Sequence, residues 1–354
     1  MNQMKAKLFV MFAAVLLLFG CERSQNNVVK IGVVGPLTGA GATTSEYWIN
    51  GLNHAIDHLN AVEGGEKYKL LVEDCQSDPA QAVACYKRLE MQGAKYVLAV
   101  GGQFAMAVAP LTKGKDMLFF TTADYNEAIL DQTDCGFRVF PSSETFGDTA
   151  ADYLHRNYGF TKYASFALNT VACLEATKAF VKGVERNNGE MVFQETYDMG
   201  DRDFNSIVAK DSDKGAEAVF MTGFGISPLA FANQLASNSS YDSIVLFGDL
   251  NIATKSFVEG IRNDKARLLC ADVRFAEESE TQYAAKYNGH SNAIVTSSYI
   301  IPFLIQEARA NTDSKNIKAQ KAYLRNRSFN TKIGDVEIDA KGSCKMGFQV
   351  YQLQ

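Results

Sequence analysis

Two histidines, His54 and His58, have the spacing in this sequence that comes nearest to a metal site. On a helix, imidazoles four positions apart can bind one metal ion. The apolar positions of the same helix are Leu52, Ile56 and Leu59. They place His54 away from the core, and no further ligand follows at a suitable spacing. We therefore predict a solvated helix face here and no metal site.

Motifs for covalent or nucleotide chemistry are missing from the sequence. It contains no Gly-x-Ser-x-Gly elbow and no phosphate loop ending in Gly-Lys-Ser/Thr, and Gly32-Val33-Val34-Gly35 does not fit the three-glycine dinucleotide fingerprint. The chain has only four histidines. We predict that the protein is not an enzyme and needs no cofactor. The alternative is an α/β enzyme whose catalytic triad comes from residues far apart in the sequence, and we rank it below the two binding functions considered below.

The amino terminus predicts a lipoprotein signal. Lys5 and Lys7 precede an apolar run from Leu8 to Phe19, which is too short to span a bilayer comfortably. The run ends in Leu18-Phe19-Gly20-Cys21, which resembles a bacterial lipobox, where the cysteine is lipidated and becomes the first residue. We expect a signal peptide at 1–20, a polar tether at 21–27, and a lipid on Cys21 as the membrane anchor. Ordinary cleavage elsewhere and an uncleaved anchor are the alternatives.

Lipidation of Cys21 would account for the odd number of cysteines, which is seven. An oxidising extracytoplasmic compartment would allow the other six to pair. Cys75 and Cys85 lie ten residues apart, so a bridge between them is geometrically possible. The other four can form two pairs in three ways, among which we favour Cys270–Cys344. The candidates are Cys75, Cys85, Cys135, Cys173, Cys270 and Cys344.

Length and charge restrict the class of protein. At about 150 residues per domain, 354 residues suggest two globular units, and 47% hydrophobic residues indicate packed protein. The formal net charge is −5. This composition argues against nucleic acid as a partner, because phosphate binding needs a clustered excess of lysine and arginine.

Short β-branched runs alternate with amphipathic stretches from Val28 onward, as in the strand Val29–Val34 and the helix opened by Asp78-Pro79. The alternation pauses near Pro141 and then starts again. This predicts an α/β fold of two Rossmann-like, doubly wound lobes with a ligand cleft between the carboxyl ends of their strands. The expected limits are 28–140 for lobe 1, 141–269 for lobe 2, 270–330 for a return to lobe 1, and 331–354 for a final crossing with hinge strands.

Several short motifs follow one another along the chain in a characteristic order and spacing. They are Val33-Val34-Gly35-Pro36-Leu37-Thr38-Gly39, Asn50-Gly51, Val72-Glu73-Asp74, Asp78-Pro79, Gly101, Phe137-Arg138, Asp203-Phe204, Gly248 and Tyr299. Each motif is weak alone, but in this order and spacing they make the chain resemble the leucine/isoleucine/valine-binding type of periplasmic substrate-binding protein from about Val29 to Leu353.

The resemblance implies a type I periplasmic binding fold with a three-segment hinge. Such proteins capture a small ligand on the extracytoplasmic side and deliver it to the permease of an ABC transporter. We therefore expect a monomer held to the membrane only by its lipid, with a small-molecule ligand and a permease as partners. The alternative is a lipoprotein of the same fold that senses or regulates, in contact with an envelope enzyme or sensor.

The resemblance also implies where the ligand lies on the first lobe. Amino-acid-binding relatives have serines after the third strand, where this chain has Gln103, Phe104 and Ala105. No hydroxyl is available there, although the helix N–H groups remain to accept an anion or carbonyl. We therefore expect a weakened carboxylate clamp.

After the fourth strand the relatives have alanine and threonine, and this chain has Thr122, Ala123, Asp124 and Tyr125. A carboxylate at Asp124 would favour a cationic or hydrogen-bond-donating ligand, because it would repel a second carboxylate. The alternative is that Asp124 caps the following turn.

Two further ligand contacts are implied on the second lobe. Asp249 lies one position from the acid that receives the ligand ammonium in relatives, and Phe224 falls about where an aromatic ring closes over the ligand. Core packing is the alternative for the aromatic residues. Together these departures predict a ligand other than a branched-chain amino acid: a small polar or aromatic compound such as an amide, an amine or an unusual amino acid.

Overall fold

The computed structural model of the protein describes residues 28–211, 214–237, 244–249, 251–262 and 267–353. Two sheets with helices on both faces form two lobes, which confirms the predicted α/β fold class. The predicted signal peptide, the tether and Cys21 lie outside the described residues. Within the described ranges, no helix combines the length and the apolar character that crossing a membrane requires.

The sheet of lobe 1 has five parallel strands in the order β2-β1-β3-β4-β5. All residues of β3 and β4 are buried, as expected for parallel strands covered on both faces. In the register, Val33 of β1 lies beside Val72 and Leu98. The strands are β1 (Val29–Gly35), β2 (Tyr68–Asp74), β3 (Tyr96–Val100), β4 (Leu118–Thr122) and β5 (Gly136–Arg138).

The sheet of lobe 2 has six strands in the order β14-β10-β9-β8-β6-β7, all parallel except the last strand of the chain. That strand, β14, runs antiparallel to β10. The strands are β6 (Lys162–Leu168), β7 (Glu190–Tyr197), β8 (Ala218–Thr222), β9 (Val245–Gly248), β10 (Arg267–Asp272) and β14 (Gln349–Gln352).

A small antiparallel sheet, β11-β12-β13, packs on the core of lobe 1. Its strands are β11 (Arg327–Thr331), β12 (Gly334–Ile338) and β13 (Cys344–Met346). The chain thus returns to lobe 1 after β10 and ends in the sheet of lobe 2.

Helix boundaries follow local capping. The Asp78 carboxylate accepts the N–H of Ala80 at 2.8 Å, with Pro79 at the first helical position. The helices are α1 (Ser45–Ala61), α2 (Pro79–Met91), α3 (Gly102–Thr112), α4 (Ser143–Tyr158), α5 (Val171–Arg186), α6 (Asn205–Asp211), α7 (Ser227–Leu235), α8 (Lys255–Gly260), α9 (Glu277–Tyr287), α10 (Ala293–Ala310) and α11 (Ile317–Leu324), with 3-10 turns at Ala40–Thr44 and Glu127–Gln132.

Helices α1 and α10 pack closely on one face of the lobe 1 sheet. Gly51 permits this approach, because a Cβ at that position would overlap the carbonyl oxygen of Val295. The returning helix α10 therefore belongs to the core of lobe 1, together with Trp48 and Leu52 of α1.

A buried arginine joins the hinge segments. The Arg138 guanidinium donates to the carbonyls of Phe140 at 2.9 Å and Asp124 at 3.1 Å, and to Ser343 Oγ and Glu127 Oε1 at 3.0 Å each. Phe140 begins the crossing to lobe 2, and Ser343 precedes β13, after which the chain crosses a last time. The Arg138 side chain thereby links two segments of lobe 1, each of which leads into a crossing to lobe 2.

The predicted disulfides are wrong: the six cysteines of the described residues are free thiols. Cys270 lies in a core of lobe 2 and Cys344 in a core of lobe 1, so the favoured pair would have to join two separate cores. Cys75 and Cys85 share a core without a bond between them, and Cys85 Sγ instead lies 3.3 Å from the carbonyl oxygen of Asp74. Burial raises the pKa of Cys75 to about 11, which keeps the thiol protonated.

Candidate functional site

A cleft of about 250 Å³ lies where strands β1, β3 and β4 of lobe 1 end and a loop after β9 of lobe 2 approaches them. Ligands of doubly wound sheets bind beyond the carboxyl ends of the strands, and this volume suits a small metabolite. The lining residues are Pro36, Gly41, Thr44, Val100, Gly101, Phe104, Ala123, Tyr125, Phe140, Asn251 and Ile294.

The lobe 1 wall of the cleft is mainly apolar and aromatic. Phe104 and Phe140 are buried, and the rings of Tyr125 and Phe140 meet edge to face with centroids 5.0 Å apart. Burial, with Asp249 and Asp272 adding to it, raises the pKa of Tyr125 well above its usual value, so the phenol is neutral. This wall can hold an apolar or aromatic body and offers it the hydroxyl of Tyr125, while the hydroxyl of Thr44, which also lines the cleft, donates to the carbonyl of Gly41.

Two backbone positions with positive φ shape the wall. Gly101 has φ +95° where β3 turns into α3, and its N–H donates to the carbonyl of Thr122 at 2.9 Å. Ala123 has φ +55°, a left-handed conformation that costs free energy for a residue with a Cβ. Such strained conformations are often found at binding sites. Here the left-handed conformation of Ala123 directs the chain after β4 toward the cleft.

Asp124 lies directly under the N-terminus of α3. A Cβ at Gly102 would overlap the Asp124 carboxylate, so the carboxylate would have to move if this residue carried a side chain. Oδ1 accepts the N–H of Asn126 at 2.9 Å, whereas Oδ2 is buried without a hydrogen-bond partner. Burial raises the pKa of Asp124. The carboxylate both closes a local turn and brings negative charge to the helix end.

On the lobe 2 side, Asp249 follows β9 and is partly buried. Its Oδ1 accepts from the backbone N–H of Asn251 at 2.9 Å and from the side-chain Nδ2 at 2.7 Å, and Asn251 lines the cleft. Burial raises the pKa of Asp249 to about 6. A carboxylate with this environment is well suited to pair with a cationic or donor group.

Asp272 lies at the end of β10, where the chain leaves lobe 2. It is 2% exposed and accepts the N–H groups of Ala293 and Val273, each at 2.8 Å. Burial, with Asp249 adding to it, raises the pKa of Asp272 to about 7, and Arg274 opposes the shift. The Arg274 guanidinium stacks on the Tyr351 ring at 4.0 Å. Asp272 therefore anchors the start of α10 through these two hydrogen bonds.

Of the residues that the sequence nominated for ligand binding, Phe104, Ala123 and Tyr125 line the cleft. The other nominated residues do not line it. Gln103 is exposed, Ala105 is buried in the core, and the Thr122 hydroxyl donates to the carbonyl of Val139. Asp124 and Asp249 adjoin lining residues, and Phe224 is 47% exposed beyond β8.

The sequence did not nominate several lining residues. Pro36 lay within a quoted family motif, Asn251 follows the nominated Asp249 by two residues, and Phe140 lies in the first crossing. For these three residues, their neighbourhood in the sequence could have indicated a place in the cleft. Ile294 reaches the cleft from the returning helix α10, more than 150 positions from the other lobe 1 lining residues, and no local pattern indicates this.

The predicted solvated face for His54 is wrong. His54 is 4% exposed, and its ring packs against Phe275, Tyr283 and Tyr299, which come from the returning segment. Burial lowers the pKa of His54 to about 4, so the imidazole is neutral. His58 Nδ1 lies 2.8 Å from the Tyr299 hydroxyl. Among the described residues, no group of three or more His, Cys, Asp or Glu side chains is arranged to hold a metal ion.

Comparison with known proteins places these features in a family context. The model of the family described as periplasmic binding protein matches residues 28–341. An amino acid binding protein of Pseudomonas aeruginosa is 30% identical over 234 residues, which are 62% of this chain and 61% of that protein. The chain thus spans less than two thirds of this relative.

Two further proteins match over more of their length. Leu/Ile/Val-binding protein homolog 1 of Brucella suis is 25% identical over 96% of this chain and 93% of its own. The structure of an ABC transporter substrate-binding protein from Sphaerobacter thermophilus is similar with a TM-score of 0.78 and 22% identity, covering 92% of this chain and 93% of that one. The latter likeness supports the fold.

Proposed function

The chain belongs to the periplasmic binding protein family, in its leucine/isoleucine/valine-binding type, and from that premise we propose that it captures a small ligand between its lobes for ABC-type import. The proposed partners are the ligand and a permease, and the protein acts as a monomer. Members of this family bind solutes and act outside the cytoplasm, and we propose that this chain performs no catalysis.

The observation that carries the proposal is the cleft itself. Its lining comes from both lobes, with Asn251 of lobe 2 facing a wall of lobe 1 that contains Phe104 and Tyr125. The hinge segments around Arg138 connect the lobes, so closure would bring the two walls onto a bound molecule. A volume of about 250 Å³ favours an amino acid, an amide or a related compound.

We further propose that Gln103, Phe104, Ala105, Thr122, Ala123, Asp124, Tyr125, Phe224 and Asp249 form the ligand-binding set. Phe104, Ala123 and Tyr125 supply the preformed wall, and Asp249 supplies a polar contact from lobe 2. Gln103 and Phe224 are exposed beside the strand ends and would contact the ligand once the cleft closes.

A lipid on Cys21 is proposed as the anchor, after removal of residues 1–20. The support is the Leu18-Phe19-Gly20-Cys21 sequence after an apolar run with a basic start. In a bacterial host, the wild-type chain should fractionate with membranes and the Cys21→Ser variant should not. Equal partitioning of the two would contradict lipidation.

A regulatory lipoprotein of the same fold is the second candidate function. It is favoured by the lobe 1 wall, where no side-chain hydroxyl is present from Gly101 to Ala107 to hold a carboxylate. Such a protein would contact an envelope enzyme or sensor rather than a permease.

Native mass spectrometry of the gently purified full-length protein tests the capture of a ligand. We expect a complex heavier than the chain by one small molecule, which denaturation releases for identification. An empty cleft in protein from several growth media would contradict solute capture and favour the regulator.

A further inference from the structure

We propose that the Asp124 carboxylate, which lies beside Gly102 at the start of α3, keeps a ligand carboxylate away from that helix end, so that the cleft selects a ligand with an amine and an apolar body but no carboxylate. The inference rests on the proposed function, because it specifies the ligand class of the same cleft. It makes Asp124 a specificity-determining residue of lobe 1.

The first argument is the place of the Asp124 carboxylate. The N-terminus of a helix, whose free N–H groups donate hydrogen bonds at the positive end of the dipole, is the natural binding site for a ligand carboxylate. Here the carboxylate of Asp124 lies against Gly102, the first residue of α3, so closely that a Cβ at this position would displace it. A second carboxylate would meet like charge at that point.

The second argument is an incomplete set of hydrogen bonds. Asp124 is 9% exposed, and its buried Oδ2 has no hydrogen-bond partner among the residues that the structure describes. Leaving a buried acceptor unsatisfied is costly. Asp124 does not line the cleft itself, but its neighbours Ala123 and Tyr125 do, and a ligand donor that reached Oδ2 past them would remove that cost. An ammonium or amide N–H group is the matching chemistry.

The third argument is the sign of charge around the cleft. No lysine, arginine or histidine is among the lining residues in the described part of the chain. Of the arginines near the acids, Arg138 donates to carbonyls, Ser343 and Glu127, and Arg274 stacks on Tyr351. Asp249 adds a second carboxylate from lobe 2. Arg138 opposes the negative charge at Asp124 and Arg274 opposes it at Asp272, but neither arginine lines the cleft, so the cleft favours a cationic ligand over an anionic one.

The fourth argument concerns the body of the ligand. The lobe 2 rim is a set of exposed apolar side chains at the carboxyl ends of β6, β7 and β8. The exposed fraction of these residues lies between 39% and 74%, which is unusually high for a cluster of large apolar side chains. Closure on an apolar ligand would cover this rim opposite Phe104 and Tyr125. The rim consists of Val171, Leu174, Met199, Phe224 and Ile226.

A thermal-shift panel on the full chain tests the inference. The panel contains compounds with several aromatic and aliphatic bodies. Each body is tested as the amine, as the carboxylate and as the amino acid that carries both groups, for example 2-phenylethylamine, 3-phenylpropionate and phenylalanine. We expect the amines to raise the melting temperature and to bind about tenfold or more tightly than the matched acids and amino acids.

The Asp124→Asn variant provides the sharper measurement. It keeps the acceptor for Asn126 but removes the charge, so carboxylates and amino acids should gain affinity about tenfold relative to wild type. Asp203→Asn is the matched control, because Asp203 is exposed and also accepts from an asparagine two positions later. If Asp124→Asn does not fold, the wild-type panel decides.

Binding of the acids or amino acids as tightly as the amines overturns the inference and leaves the proposed function intact. If no panel compound binds, the molecule found by native mass spectrometry decides: a cation supports the inference and a carboxylate overturns it. An empty cleft together with a silent panel overturns both.

Discussion

The two walls of the cleft differ in how much of their structure exists before a ligand arrives. On lobe 1, Phe104 and Phe140 are 2% and 3% exposed and pack into cores behind the wall. On lobe 2, Met199 is 67% exposed and Phe224 is 47% exposed, although both lie beside strand ends. The comparison indicates that lobe 1 presents a preformed surface and that lobe 2 gains its contacts on closure.

The acidic residues beside the two walls, Asp124 and Asp249, also differ in how firmly they are held before a ligand binds. Asp124 is fixed beneath α3, with one oxygen in a turn and the other unpartnered. Asp249 shares its turn with Asn251, which already lines the cleft. We interpret Asp124 as the group that excludes a carboxylate and Asp249 as the group that moves onto an amine when the lobes close.

The largest expected effect is a difference in the free energy of unfolding between variants of the two walls. Phe104→Ala should lower the free energy of unfolding by about 3–5 kcal/mol, because a buried ring is replaced by a cavity. Phe224→Ala should change it by less than about 0.5 kcal/mol, since the ring is exposed. Urea unfolding of both variants checks this, and equal losses would remove the distinction between a preformed and an exposed wall.

The next effect concerns affinity for the amine ligand. Asp249→Asn should weaken binding roughly 10- to 100-fold, because a hydrogen bond to a charged group contributes about 1.5–3 kcal/mol. Calorimetric titration measures the change. Asp203→Asn, with the same local geometry on an exposed loop, should bind as wild type. An unchanged affinity in Asp249→Asn would place the amine elsewhere.

Acidification should weaken binding through the same residue. The pKa of Asp249 is raised to about 6 by burial, so its carboxyl is ionised above that pH and neutral below it. The titratable groups that interact with it are Asp272, Tyr125, Tyr197, Cys173 and Cys270. An amine stays protonated throughout, so its affinity should be nearly constant above pH 7 and fall about tenfold by pH 5. Titrations across this range test the sign, and affinity that rises on acidification would contradict it.

The smallest effect concerns the lobe 2 rim. Phe224→Ala should weaken binding about fivefold, because closure would bury only part of one ring, a contribution of about 1 kcal/mol. Met91→Ala serves as the control, since Met91 is 80% exposed on α2 and lies outside the cleft lining. Equal affinities of the two variants would show that the rim stays uncovered in the complex.

Local patterns in the sequence were sufficient for the fold class and many of its elements. Asp78 followed by Pro79 specifies a helix start through one cap hydrogen bond and a preset φ, and the structure has that start. Buried parallel strands such as β3 read as short apolar runs because both faces are covered. On lobe 1, the nominated Phe104 and Tyr125 line the cleft because strand ends position ligands in such sheets.

Long-range packing explains what the sequence did not predict. His54 looks solvated on its own helix, but aromatic residues from Phe275 to Tyr299 cover it after the chain returns to lobe 1. The favoured Cys270–Cys344 bridge failed for a related reason, since the two thiols belong to cores of different lobes. Ile294 entered the cleft by the same return of the chain.

A crystal structure of the protein with its co-purified ligand tests the central claim most directly. The account predicts an amine nitrogen within hydrogen-bond distance of the Asp249 carboxylate, an apolar body between Phe104 and the lobe 2 rim, and no ligand carboxylate at the N-terminus of α3. A ligand carboxylate bound to the N–H groups of Gly102 or Gln103, with Asp124 displaced, would contradict it.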